Sequence, residues 1–162
     1  MMPSRAWLGL SALIALLDQV TKHIAVFWVL PGQAFEVLSW LNIQVVYNTG
    51  VAFSFLAQAD GWQWGLLVGL NVSLSAMMSW QLYKRRFQDR ISCVAVSLAL
   101  GGALGNLYDR IWQGAVTDFV DFHVGDWHFA TFNLADSALC LGAGLWLLAT
   151  WKGKANTAND AV

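Results

Sequence analysis

Residues 62–83 read WQWGLLVGLNVSLSAMMSWQLY and are followed at once by Lys84, Arg85 and Arg86. The stretch carries no charge, and its polar content is limited to Gln63, Asn71, Gln81 and serines. That length and composition suit a helix crossing a bilayer core, which takes roughly 20 residues. Trp62, Trp64 and Tyr83 lie at its ends, where interfacial aromatic residues belong.

Working outward, three more segments approach the same length: 6–30, 91–108 and 133–151. Trp7, Trp28, Tyr108 and Trp151 stand near their ends. Of the 162 residues, 57% are hydrophobic and 12% charged, against about 25% charged in a soluble domain. The expected fold is therefore a mainly α membrane protein. It has four transmembrane helices, a single domain over 1–162, and a small β-sheet or hairpin with a loop on the outer face. A net charge of −1 leaves no electrostatic footprint for nucleic acid.

Orientation follows from the basic residues. Arg5 precedes the first span, Lys84, Arg85, Arg86 and Arg90 separate the second from the third, and Lys152 and Lys154 follow the fourth. With four spans these seven of the nine basic residues share one face, which the positive-inside rule makes cytoplasmic. Both termini are then inside. The apolar start has no convincing small-residue cleavage site after it and is expected to stay as a span. Cys93 and Cys140 lie in apolar runs without zinc or CxxC spacing, and both are expected to be buried packing residues.

The two outer connections hold most of the chemistry. In 33–61, Ile43, Val45 and Tyr47 alternate with Asn42, Gln44 and Val46, a strand period. Asn48-Thr49-Gly50 offers turn chemistry, and an apolar strand-like run resumes over 51–56. In 109–132, Asp109, Asp118, Asp121 and Asp126 accompany His123 and His128. Asp118, flanked by valines and phenylalanines, and Asp136, just inside the fourth span, are acids near one membrane edge. Acids at that depth are functional-site candidates. Two carboxyls brought close cannot both ionise and share a proton. One then acts as base on a water while the other polarises a carbonyl, chemistry that needs no metal and no cofactor.

Plainer readings stand beside this one. Asn133 and Asp136 suit the cap and first turn of a helix. Gly101 and Gly105 have the spacing that lets membrane helices approach closely, and Asp109 with Arg110 suits an interfacial ion pair. Arg110 could instead hold a carbonyl or phosphate through its planar fork. Asp18 and Lys22 are spaced i, i+4 as an intrahelical pair. Asp18 would lie about 18 Å along the first span, with Lys22 snorkelling to the outer surface. The alternatives are a small proton-coupled transporter using Asp18 and Asp136, a metal protease using His123 and His128, and a non-catalytic assembly subunit.

The chain resembles one family, the bacterial lipoprotein signal peptidases (signal peptidase II). Five boxes carry the resemblance in order: Asp18-Gln19-Val20-Thr21-Lys22, Asn48-Thr49-Gly50-Val51-Ala52-Phe53, the run GGALGNLYDR over 101–110, VTDFVDF over 116–122, and Phe132-Asn133-Leu134-Ala135-Asp136-Ser137. The resemblance implies an aspartic endopeptidase of the bacterial inner membrane. It would cut diacylglyceryl-modified prolipoproteins on the N-terminal side of the lipidated cysteine. It further implies Asp118 and Asp136 as the catalytic pair, with Asn48, Gly50, Asn106, Arg110 and Asn133 lining or orienting the site. Asp18, Lys22, Asp109 and Asp121 would support it. The implied partners are the prolipoprotein substrate and a globomycin-type inhibitor; membrane lipid and a monomeric state are expected besides.

Overall fold

The computed structural model describes residues 3–30, 32–50, 62–87 and 89–159, with side chains described as far as residue 152. Four long helices dominate: α1 (Ser4–Trp28), α2 (Trp62–Tyr83), α3 (Arg90–Gln113) and α4 (Leu134–Asn159). Each contains a window long and apolar enough to cross a membrane. The strands are β1 (Ala34–Leu38), β2 (Leu41–Asn48), β3 (Val116–Val124) and β4 (Trp127–His128). They form one antiparallel sheet in sequence order.

Helix α3 is the central post. Within its apolar window 61% of residues are buried, against 11% to 28% in the other three helices. A helix that is apolar all round has lipid as its outer solvent, and α2 fits this with only Gln63, Ser75 and Leu82 buried. Asn71 of α2 donates to the Ala103 carbonyl of α3 at 3.0 Å, a polar tie across two apolar surfaces. The small residues of α3 set its distance from its neighbours. A Cβ at Gly101 would meet the Ile14 side chain at 2.6 Å, and one at Gly102 would overlap the backbone of Ala135. So α3 touches α1 and α4 nearly backbone to backbone.

Asp89 caps α3 by accepting from Ser92 N at 2.7 Å. Gly114, at φ 77°, ends the helix in the left-handed region, and β3 begins two residues later. Two apolar clusters pin the ends of the molecule. Trp7, Leu82, Cys93, Val96 and Leu100 form one. Ala25, Val29, Val45 and Phe119 form the other, where β2 and β3 rest on α1.

Several expectations need correction. The hairpin closes at Ser39-Trp40, between β1 and β2, whereas Asn48 to Gly50 is a bend leaving β2. The strand expected at 51–56 lies outside the described residues. The second outer connection supplies two further strands, and β3 pairs along β2. That pairing is hidden in a sequence that reads as a polar run with aromatic residues. Helix α3 continues to Gln113, so Asp109 and Arg110 lie inside its last turns. Cys140 is exposed on α4, not buried, although Cys93 is.

Candidate active site

The site is assembled where β3, α3 and the start of α4 meet α1. Asp118 comes from β3 and is 3% exposed. Side chains in a strand alternate faces, so Asp118 and Asp121, three residues apart, point to opposite sides of the sheet. In β2, one extra residue between Ile43 and Val46 shifts the register against β3. Beyond this bulge, Asn48 Nδ2 donates to Asp118 Oδ2 at 3.1 Å. Asn48 Oδ1 accepts from Gly50 N at 3.0 Å, which fixes the way the amide points.

Asp136 lies in the first turn of α4. Its backbone N–H donates to Asn133 Oδ1 at 2.8 Å, and its Oδ2 accepts from Asn133 N at 3.2 Å. This reciprocal capping box holds the carboxylate at the positive end of the helix. Asn133 is fully buried and its Nδ2 also donates to Asp118 Oδ1 at 2.7 Å. One asparagine therefore touches both carboxyls. Asn106 Nδ2 donates to Asp136 Oδ1 at 2.8 Å, while Asn106 Oδ1 accepts from Asn133 Nδ2 at 3.2 Å. All four oxygens of Asp118 and Asp136 thus accept an amide N–H.

Burial drives the Asp118 pKa up to about 7, and the charge of Asp136 adds to the rise. The Asn48 and Asn133 donors and the Lys22 charge pull the other way. Both aspartates line a cleft of about 500 Å³ together with Asn48 and Arg110. One wall is apolar, with Val116, Phe129, Phe132, Leu139 and Cys140. A second cleft, also bordered by Asp118, runs past Tyr47, Trp127 and His128 along the sheet. Arg110 Nη2 donates to the Gly50 carbonyl at 3.3 Å, which ties the bend after β2 to α3.

Behind the two carboxyls is a buried ionic cluster. Lys22 is 2% exposed and does not snorkel; its Nζ lies 2.7 Å from Asp18 Oδ2 and 2.9 Å from Asp109 Oδ2. Asp109 is thus a partner of Lys22, not an interfacial mate of Arg110, and also accepts from Thr117 N at 3.0 Å. The other oxygen of Asp18 accepts from Ala135 N at 2.8 Å, holding the start of α4 against α1. Gln19, not foreseen as a site residue, donates to Asp109 Oδ1 at 2.8 Å and to the Gly105 carbonyl at 3.1 Å. Its place inside the first sequence box was the available signal. Asp121 stands apart from this cluster: it is buried, with His128 Nδ1 at 2.9 Å and Asn42 Nδ2 donating at 3.3 Å.

A protein-family model described as signal peptidase (SPase) II matches residues 10–152. A protein of Citrobacter koseri named lipoprotein signal peptidase is 42% identical over 142 residues, 88% of each chain. One of the same name from Shigella flexneri is 41% identical over 88% of this chain and 87% of its own. Among solved structures, one described as a bacterial membrane enzyme at 2.3 Å resolution superposes with a TM-score of 0.82. It is 31% identical, covering 93% of this chain and 90% of that one. A second, at 1.9 Å resolution, gives a TM-score of 0.77 at 30% identity, covering 90% and 92%.

Proposed function

The chain belongs to the signal peptidase II family, and on that premise we propose that it is an aspartic endopeptidase removing signal peptides from prolipoproteins. Its substrate carries diacylglycerol on a cysteine, and the bond cut lies on the N-terminal side of that cysteine. The observation that carries the reading is the pair of carboxyls, Asp118 and Asp136, bridged by Asn133 in a cleft that is polar on one side and apolar on the other.

With one proton shared by the pair, the ionised carboxylate takes a proton from a water, and the resulting hydroxide adds to the scissile carbonyl. The protonated carboxyl gives its proton to the carbonyl oxygen. Collapse of the adduct returns that proton and protonates the leaving amine, so one water is consumed and the pair is regenerated. Asn48, Asn106 and Asn133 hold the carboxyls, and Arg110, tied to the Gly50 carbonyl, borders the cleft near the substrate. Asp18, Lys22 and Asp109 brace the pair from behind, and Asp121 braces the sheet. The apolar wall toward Leu139 and Cys140 suits acyl chains arriving from lipid, and the sheet-side cleft suits extended peptide.

The site faces the outer side of the inner membrane, both termini lie in the cytoplasm, and the enzyme works as a single-domain monomer open to a globomycin-type inhibitor. Proton-coupled transport through Asp18 and Asp136 is not favoured, because Asp18 is fully buried and engaged by Lys22 and Ala135. The test is purified protein with a diacylated precursor, with and without chelator, for wild type, Asp118→Asn and Asp136→Asn. Wild type is expected to cut in both conditions and each variant to lose at least about 1,000-fold in rate. Full turnover by either variant would overturn the assignment.

A further inference from the structure

We propose that Lys22 is a positioning residue for this hydrolysis: it fixes the Asn106 amide so that Asn106 and Asn133 turn N–H donors, not carbonyl oxygens, toward the two carboxyls. The inference rests on the peptidase reading above and adds a role for the buried ionic cluster.

An ammonium has three donors and no acceptor. Those of Lys22 meet Asp18 Oδ2 at 2.7 Å, Asp109 Oδ2 at 2.9 Å and Asn106 Oδ1 at 2.9 Å. The side chain is 2% exposed. Asn106 must therefore keep its oxygen toward Lys22, since the reversed amide would set N–H against N–H in a buried site. Its Nδ2 is then obliged to face Asp136 Oδ1, where it donates at 2.8 Å. The same Asn106 oxygen receives Asn133 Nδ2 at 3.2 Å, which acts together with the Asp136 N–H on Asn133 Oδ1 to keep the Asn133 amide nitrogen toward Asp118 Oδ1 at 2.7 Å. Lys22 thus fixes the donor to Asp136 and supports the donor to Asp118 without touching either carboxyl.

The consequence concerns the shared proton. An amide N–H stabilises a carboxylate, whereas an amide oxygen stabilises a protonated carboxyl. With donors on both members, no fixed acceptor pins the proton, and it stays free to move between pair, water and carbonyl. The charged groups facing this pair are Asp18 and Lys22 from α1 and Asp109 and Arg110 from α3. Lys22 is the one of them bonded to the amide relay.

The experiment measures kcat and KM from pH 5 to 9 in detergent with a diacylated precursor. The proteins are wild type, Asp18→Asn/Lys22→Met, Asn106→Ala, the triple variant, and Asp118→Asn as control. The paired replacement removes a cation and an anion together. It is expected to lower kcat roughly 100-fold with KM nearly unchanged, as misplacement of a reacting group does. Its alkaline limb should rise by roughly one pH unit: the cation and anion removed largely offset each other, but the two carboxyls lose amide N–H donors that favour their ionised forms. In the Asn106→Ala background the same replacement should add almost nothing to the loss of kcat, because the relay is already cut. Fully additive losses, or a wild-type limb and kcat in the paired variant, would overturn the proposal. Should the paired variant not fold, Lys22→Arg decides: it keeps a cation with donors, so its limb must coincide with that of wild type, and a displaced limb would overturn the proposal. Turnover by Asp118→Asn would instead bring down the peptidase reading itself.

Discussion

Asp118 has the most to lose from its surroundings. Burial and the neighbouring Asp136 hold its pKa at about 7, so it keeps a proton through the range where an exposed aspartate has already ionised. The extra proton stabilises the folded state at low pH, and this contribution is lost as pH rises through about 7. Activity that needs one proton on the pair falls over the same interval. The alkaline limb of kcat/KM is therefore expected near pH 7. Asn48 donates to Asp118 and favours its charged form, so Asn48→Ala should move that limb upward by roughly half a unit. A pH–rate series on both proteins checks this, and a downward move would contradict it. Asp118 was conspicuous in the sequence because valines and phenylalanines surround it. Its two amide partners were not, because Asn48 and Asn133 lie 70 and 15 residues away from it.

At the level of elements, the close contact of α3 with α4 controls where Asp136 sits. A Cβ on Gly102 would run into the backbone of Ala135, the residue before Asp136, and backbone cannot swing aside as a flexible side chain can. Gly102→Ala is expected to cost about 1–3 kcal/mol of stability through overpacking and to cut activity at least roughly tenfold by displacing the start of α4. Gly144, on the same helix as Asp136, faces open space, and a methyl added there would meet nothing within 4 Å. Gly144→Ala should leave activity intact and stability within about 1 kcal/mol of wild type. Thermal unfolding in detergent, paired with turnover, separates the two cases. The sheet carries the complementary lesson. The period of β2 was legible in its alternating residues, but β3 was not, because its valines, phenylalanines and aspartates serve two different faces. Asp118 faces the candidate active site, and Asp121 faces Asn42 and His128.

For the whole molecule, the distribution of cations is the basis of the proposed orientation. Arg5, the 84–90 connection and Lys152 stand at one set of helix ends, and the sheet stands at the other. In cells, a membrane-impermeant thiol reagent applied from outside is expected to label Asp126→Cys and to spare Arg86→Cys, each in a background with Cys93 and Cys140 replaced. The reverse pattern would invert the topology. Four spans, their lipid-facing character and the acids worth suspecting were all readable in the chain, because a bilayer demands long apolar helices and makes each buried charge conspicuous. The local pairs, Asp18 with Lys22 and Asn133 with Asp136, were legible from spacing, but the distant partners of each acid were decided by tertiary structure alone. Lys22 reaches Asn106 across 84 residues, and Asp18 holds Ala135 across 117. Hydrogen bonds are short and directional, so such pairings depend on helix rotation and a strand bulge, neither of which a local pattern of residues encodes.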